Sequence, residues 1–485
     1  MAFQEFYCDA SAGANINAGD LTANGVVTST NGAWSTVTNI FTATSGTPFS
    51  GVSVGDYATL YADGATVAEC VARVTAIGGG GLTLTLSTAA RAGTAPVTSA
   101  TAISCTTGGA WKGPNAASGF PFSLTALDSL LKVTTNVNPR INMKNGTNYA
   151  ITATVTTTAR TNLGYVIEGY TTTVGDGGRF TIDGGTAGAS FDLFSFATSL
   201  SQMRHGILQN NGATGSANGL AIANFSITLF DIVVNSVRGI GIYVNNNFLV
   251  AIQCETYSCN QSNTANMGGF IITASGELVA HYCISHDNTG SNNVGFGSNG
   301  GASGAVAYHH CIADSNGKYG FDARTSGNGT SASVVQCDAY NNGSDGVFGA
   351  NQANVFSVIN SNFANNGGYG INVVSTINSG ILLNNGFGSG TAANTSGQTN
   401  LPAANNLIDS GAVTYAANAL PWVDAPNGDF RITLAAAKGA GIGTFTQTAA
   451  SYTGAIAYPD IGAAQHQDAA AGGGGPVFNR GRPFG

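Results

Sequence analysis

The sequence predicts an all-β chain built around a right-handed parallel β-helix, with a separate small N-terminal β domain and a short capping helix. Three observations lead there: a glycine-rich, charge-poor composition, a register of cysteine, asparagine and glycine that returns every 24 to 29 residues, and alternating apolar strands between turn signals. Glycine supplies 69 of 485 residues, and charged residues make up 8% of the chain. Helices would lack their usual i,i+4 charge pairs, and Ala is diluted by Gly, Thr, Ser and Asn, which favour turns and strands. A hydrophobic share of 43% is enough to bury a core and argues against disorder.

Net charge excludes some functions at once. Lys plus Arg total 16 against 24 Asp plus Glu, a formal charge of −8. So few cations cannot track a phosphate backbone, and nucleic acid is not an expected partner. No run approaches the roughly 18 apolar residues that cross a bilayer, so membrane insertion is not expected. The opening Met-Ala-Phe-Gln-Glu-Phe-Tyr-Cys has neither a basic segment nor an apolar core, and so does not read as a secretory signal.

The cysteines carry the repeat. Cys254, Cys283, Cys311 and Cys337 follow one another at intervals of 29, 28 and 26, and no CxxC pair or zinc-finger spacing occurs. Small apolar residues stacked from coil to coil would repeat this way. The segments CISHDN at 283, CIADSNGKYGF at 311, CDAYNNGSDGVF at 337 and SNFANNGGYGI at 361 keep one register. Asn288, Asn316, Asn342 and Asn366 each lie five residues after the small residue. Gly295, Gly320, Gly346 and Gly370 each precede a bulky apolar residue, and a weaker copy runs from Asp231 to Ile242. Parallel strands stack about 4.8 Å apart, so like residues form ladders: Cys283, Cys311 and Cys337 in one, the four asparagines in another. Glycine is expected to supply a tight or left-handed corner, and the residue after it to point into the core.

These coils resemble the pectate-lyase-like right-handed β-helix superfamily over residues 120–465, and VIEGYTTTVGDGGRFTIDGG at 166–185 resembles an early coil. The stretch ALPWVDAPNGDF, followed by RITLAAAKGAGIG and YPDIGAAQH, is similar to the closing coil of many such repeats. The resemblance implies a fold and leaves function open, because lyases, hydrolases, phage spikes, adhesins and inert fibres share it.

Four regions are expected. Residues 1–119 form an N-terminal β domain for attachment or capping, in which Tyr57, Leu60 and Tyr61 precede an Asp63-Gly64 turn. Coils fill 120–390, opened by an amphipathic helix over 123–133 that places Leu124, Leu127, Leu130 and Leu131 on one face behind Ser123. Residues 391–469 hold an Asn/Thr/Ala excursion and the closing coil, and 470–485 form a Gly-rich tail.

Chemistry is less legible. Lyase catalysis needs carboxylates on calcium and a basic residue, and the coils offer His286-Asp287, Asp314, Asp338, Asp345, Lys318, Asp322 and Arg324. Asp314 and Asp338 lie at different offsets from their cysteines and need not face the same way. Solvated polar faces account for these residues as well, so no metal or other cofactor is expected, and calcium is not indicated. Glycosidase chemistry needs two carboxyl groups about 5–10 Å apart, for which Asp322 and Asp345, one coil apart in approximate register, are candidates beside Glu255 and Glu277. One of His309 and His310 is expected to point inward. Tyr319, Tyr340 and Tyr369 are expected to be exposed and are the candidate sugar-stacking residues.

Two classes of function follow. The first is a structural or adhesive virion component, such as a phage tail spike, fibre or capsid appendage, assembled in the host cytoplasm with reduced cysteines. It would form a homotrimer or higher assembly, join other virion proteins and bind a host-surface polysaccharide. The second is a polysaccharide lyase or glycoside hydrolase on the same fold. A secreted bacterial surface adhesin, extracellular or at the cell surface, is a further alternative.

Overall fold

In the computed structural model the chain is a parallel β-solenoid, described over residues 3–11, 27–108 and 138–437, together with Ala463. Breaks fall at 65–69, 94–99, 157–163, 198–199, 224–225, 246, 266, 274, 299–303, 325–330, 350–354, 375–379, 389–392, 397–406, 411–412 and 416–418. The helix expected over 123–133 and the tail 470–485 lie outside the described residues. The chain divides into two compact units, Met1–Thr186 with Phe191–Gln209, and Ala187–Ser190 with Asn210–Gly485.

The first unit corrects the expected N-terminal boundary. Phe3–Cys8 pairs in parallel with Asn138–Lys144, which pairs in turn with Val166–Tyr170, so the chain begins inside the solenoid. Arg140 reaches Glu5 at 3.3 Å, and Lys144 reaches Asp9 at 2.9 Å, fixing this register. The separate domain is narrower than 1–119. Six antiparallel strands between Val27 and Thr107 close into a barrel around Trp34, Phe41, Phe49, Leu60, Leu84 and Leu86. It is an insertion between two solenoid strands. The early coil read at 166–185 is present as Val166–Tyr170 and Phe180–Asp183.

The second unit repeats three strands per coil. The first row runs through Phe248–Ile252, Glu277–His281, Val306–His309, Ser331–Val335, Val355–Ile359 and Gly380–Leu383. The second holds Glu255–Tyr257, Ile284–His286, Ile312–Asp314, Asp338–Tyr340, Asn362–Ala364 and Gly386–Phe387. The third holds Ile242–Asn245, Gly268–Thr273, Val294–Ser298, Phe321–Asp322, Val347–Gly349 and Tyr369–Val373. The excursion at 391–415 continues these rows, since Ala393–Ser396 pairs with the third and Leu407–Ser410 with the first.

Both predicted ladders form. Cys283, Cys311 and Cys337 are free, buried thiols in line with Cys254. Asn288 donates from Nδ2 to Asn316 Oδ1 at 2.7 Å, Asn316 to Asn342 Oδ1 at 3.0 Å, and Asn342 to Asn366 Oδ1 at 2.9 Å. Beside them the core rings Phe270, Phe296 and Phe321 stack at 4.9 and 5.1 Å.

The glycines act differently from expectation. Left-handed backbone falls on Asp287, Ser315, Asn341 and Asn365, each directly before a ladder asparagine. Gly320 is required by crowding: a Cβ there would sit 2.7 Å from the Gly346 carbonyl oxygen and 3.0 Å from Asn342 Nδ2. Glycine therefore lets one coil lie against the next, while Asn and Ser, which tolerate the αL region, make the corner.

The closing segment also differs. Trp422–Asp424 and Asp429–Ile432 form an antiparallel hairpin around a left-handed Gly428, the expected Asn427-Gly428 turn. Among the described residues this segment adds no rung. Trp422, Phe430, Ile432 and Ala463 pack with Ile284, Ile312, Tyr340 and Ala364 on the outer face of the second row.

Removing one rung of the asparagine ladder tests its weight. Asn342 bonds both neighbouring coils, and its Nδ2 also donates to the Ala313 carbonyl at 3.0 Å. Asn342→Ala leaves buried partners unmet and is expected to cost about 2–3 kcal/mol, read as a lower urea midpoint. Gly320→Ala is expected to destabilise comparably, and unchanged midpoints in both variants would contradict the ladder's role.

Candidate functional site

Strand alternation decides which polar residues can act. In the second row Thr256, Ser285, Ala313 and Ala339 point inward, so Glu255, Tyr257, His286, Asp314, Asp338 and Tyr340 point outward. Asp314 and Asp338 therefore share a face, a point their different offsets had left open. Their offsets of three and one from the cysteine differ by two, which is one period of a strand.

Sharing a face does not make a reactive pair. Asp338 is fully buried, accepting from Asn362 Nδ2 at 3.0 Å and from the Ala463 N–H at 2.9 Å. Asp314 is buried and accepts from the Ser315 hydroxyl at 2.7 Å. Tyr340 was expected in solvent but is buried edge-on against Trp422 and Phe430, with centroids at 5.6 and 6.3 Å. The cause lies about 90 residues downstream, in the hairpin that covers this face.

The histidine pair is resolved by a corner. His310 is left-handed at φ 53°, so neither ring enters the core. His309 stacks on His281 at 5.0 Å, His310 stacks on Tyr282 at 4.8 Å, and His310 Nδ1 lies 3.2 Å from the Ala463 carbonyl. Burial, then the neighbouring imidazoles of His281 and His310, lower the pKa of His309 to about 4. These rings are neutral stacking surfaces at pH 7.

The third row holds the other candidates. Asp322 pairs in register with Phe348, which places Asp345 three residues away, level with Tyr319. The expected Asp322–Asp345 carboxyl pair is therefore out of register. Asp345 accepts from the Tyr369 N–H at 2.8 Å and Asn372 Nδ2 at 3.0 Å. Asp322 is fully buried and chelated by the Arg324 guanidinium, with Nε at 2.7 and 2.9 Å from its two oxygens. Burial pushes the Asp322 carboxyl up, against the opposing pull of Arg324.

Around that ion pair an aromatic and cationic face assembles. Tyr319 and Phe348 stack at 4.3 Å and 6°, Lys318 Nζ stands 4.8 Å from the Tyr319 centroid, and Arg324 Cζ stands 5.5 Å from that of Phe348. Tyr319 was expected to be exposed; it is largely buried by this stack, whereas Tyr369 is half-buried. Burial, then the neighbouring Arg324, lowers the Lys318 pKa. Lys318 and Arg324 were legible as charges in the sequence; Phe348 was missed, because a residue two after the coil glycine reads as core until the strand is seen to alternate.

A second cluster centres on His286. Its Nε2 faces Glu255 Oε1 and its Nδ1 faces Asp287 Oδ2, each at 2.8 Å, and its ring stacks on Tyr257 at 5.1 Å. Burial lowers an imidazole's pKa, but here the two carboxylates outweigh it and raise His286 to about 9. Both nitrogens then donate, and the imidazolium ties two coils together. Glu277, the remaining carboxylate candidate, is exposed at the start of its strand. Among the described residues no group of three His, Cys, Asp or Glu is arranged to hold a metal ion.

The His286 clamp has a pH signature. Its folded pKa stands above the ordinary 6.5, so its stabilisation is complete below about pH 6.5 and lost as pH rises through about 9. NMR titration of the His286 ring is expected to give a midpoint near 9, and Glu255→Gln to move it down by at least about one unit. A midpoint near 6.5 in the unmodified protein would contradict the clamp.

No family model matches the chain, and no curated protein matches it. Among solved structures it is similar to pectate lyase Pel9A, at 20% identity and a TM-score of 0.52, over 68% of this chain and 89% of that one. It is also similar to the catalytic domain of a GH87 α-1,3-glucanase in complex with nigerose, at 13% identity and a TM-score of 0.35, over 81% and 92%. The glucanase superposes too loosely to support an argument. At this identity the likeness to the lyase is one of fold: the chain has the right-handed parallel β-helix architecture of pectate lyase Pel9A.

Proposed function

We propose that this protein is a structural, glycan-adhesive β-helix of the kind mounted on virions as a phage tail spike, fibre or capsid appendage. The observation that carries this reading is the third-row face, where two of the chain's 16 cations converge over a Tyr319–Phe348 stack. The half-buried Phe348 ring gives a sugar an apolar edge to pack on, and the Lys318 ammonium beside it attracts a carboxylate, while Arg324 is held by Asp322. Burial, then Arg324, lowers the Lys318 pKa, and an anionic sugar there would favour the charged ammonium. The ligand supported is therefore an acidic polysaccharide of a host surface. Meanwhile Asp314, Asp322, Asp338 and Asp345 are each engaged by the chain itself, as suits a rigid rod. In this reading copies of the chain associate as a trimer or higher assembly and join other virion proteins.

A second reading, a polysaccharide-active enzyme, draws on Glu255 and Asp287, which flank His286, and on the fold shared with a pectate lyase. Turnover separates the two. Binding of polygalacturonate, measured by calorimetry without product formation, is expected, with Lys318→Ala or Arg324→Ala weakening it about tenfold, roughly 1.4 kcal/mol. Light scattering near three times 48.6 kDa would accompany it. Product release abolished by Glu255→Gln would move the enzyme reading ahead, and neither binding nor turnover would remove both.

A further inference from the structure

The turn between the second and third rows changes length along the solenoid. From the ladder residue to the third-row glycine the chain takes four steps at Asn316–Gly320, Asn342–Gly346 and Asn366–Gly370, seven at Asn288–Gly295, and ten at Cys259–Gly269. Cys259 holds the ladder position, since its N–H donates to Asn288 Oδ1 at 2.8 Å, and Gly269 is level with Gly295 because Phe270 pairs with Phe296. The two long turns stand on neighbouring coils. Between them lies a pocket of about 400 Å³, lined by Ser258, Gln261, Asn263, Asp287, Thr289 and Asn293 among others.

The floor of this pocket is held in place before any ligand arrives. Asn260 and Asn293 are buried, and Asn260 Nδ2 donates to Asn293 Oδ1 at 2.5 Å across the coils. Asn293 Nδ2 donates onward to the Cys259 carbonyl at 3.1 Å, and Asn260 Oδ1 accepts the Thr264 N–H at 3.0 Å. Asn263 Oδ1 accepts the Asn292 N–H at 3.2 Å, fixing one turn against the other. Asp287 is oriented by its 2.8 Å bond to His286. Gln261 and Thr289 stand exposed at the rim.

The lining combines amides, hydroxyls and one carboxylate, without an aromatic ring or a cation. The floor amides are engaged by the chain itself, so the exposed Gln261 amide at the rim is the one that offers donor and acceptor side by side to neighbouring sugar hydroxyls, and the Asp287 carboxylate accepts from a hydroxyl pair. Asp287 is paired with the His286 imidazolium, but with Glu255 on the other ring nitrogen the cluster keeps one net negative charge, which disfavours an anionic sugar. The volume falls within the range of small-molecule sites. We propose that this pocket binds one or two units of a neutral glycan and discriminates against uronates. The proposal rests on the glycan-binding reading for its ligand class, but uses none of the residues of the third-row face.

Saturation-transfer NMR on the full chain tests it, with maltose, cellobiose and lactose as probes and galacturonic acid as the acidic control. Transfer to at least one neutral disaccharide is expected, with none to galacturonic acid through this pocket. Gln261→Ala is expected to weaken binding about fivefold, as loss of one hydrogen bond does. Thr289→Trp, placed on the exposed rim away from the ladder, is expected to fill the pocket and abolish the signal. Lys318→Ala and Arg324→Ala should leave it unchanged. Absence of transfer to all three neutral sugars, or transfer that survives Thr289→Trp, would overturn the proposal. Neutral-sugar transfer without polygalacturonate binding would remove the third-row reading and leave this one standing; the converse would do the opposite.

Discussion

Every coil must return to the same place one strand spacing further along, or the backbone groups of the next coil lose their partners. That constraint is met at corners. Left-handed backbone recurs at Gln253, Tyr282, His310, Gln336, Asn360 and Asn384 before the second row, and at Ser258, Asp287, Ser315, Asn341 and Asn365 after it. A non-glycine residue in this conformation costs roughly 1–2 kcal/mol, so each corner needs an offsetting interaction. After the second row the offset comes at once: the next residue of the following coils is Asn288, Asn316, Asn342 or Asn366, whose amides bond from coil to coil. Corner and ladder are thus one device. The corner turns the chain, and the ladder recovers the cost while fixing the register of the core rings beside it.

The same constraint separates inside from outside. Inward residues that stack on their equivalents one coil away repeat, thiols on thiols and rings on rings, whereas the inward second-row series Thr256, Ser285, Ala313, Ala339 and Phe363 stays buried without repeating. Outward positions carry no such demand and can differ from coil to coil. In the second row the outward series reads Tyr257, His286, Asp314, Tyr340 and Ala364, and no ladder of like residues survives. What becomes of these side chains depends on what lies over them. Where the hairpin at 422–432 and Ala463 cover the row, Asp338 and Tyr340 become structural. Where the covering ends, His286 keeps two carboxylates near the surface.

This division explains what could be read from the sequence. Cys283, Cys311, Cys337 and the four asparagines were legible because stacking forces them to repeat at one period, and a period is visible without a structure. The shared face of Asp314 and Asp338 was also recoverable, since an offset difference of two preserves strand facing. The burial of Tyr340 was not, because its partner Trp422 lies 82 residues away and no local pattern records the contact. The three-residue slip between Asp322 and Asp345 was recoverable too: Asp322 lies two residues after Gly320 and Asp345 one before Gly346, and those glycines mark the register of the third row. The role of Gly320 was misread because glycine serves both close approach and left-handed corners, and the sequence alone does not say which.

A repeat that satisfies its polar groups internally leaves few places for recognition, and those places are where it deviates. The three downstream coils that take four steps from asparagine to glycine bring the turn tight against its neighbours; the Cβ of a residue at Gly343 would lie 2.2 Å from the Gly317 carbonyl oxygen. No ligand could enter there. Three extra residues after Asn288 and six after Cys259 lengthen the turns of two adjacent coils, and the space between them is polar because Asn260 and Asn293 form its floor. The third row deviates in composition instead of length. Gly297 removes a side chain next to Asp322, and Arg324 and Phe348 close over the aspartate from the other side. In both cases the scaffold is unchanged beneath the deviation, so the deviating side chains are held by rigid strands without being needed to hold them. A side chain released from the ladder's demands in this way is where selection for a ligand can act at little cost to the fold.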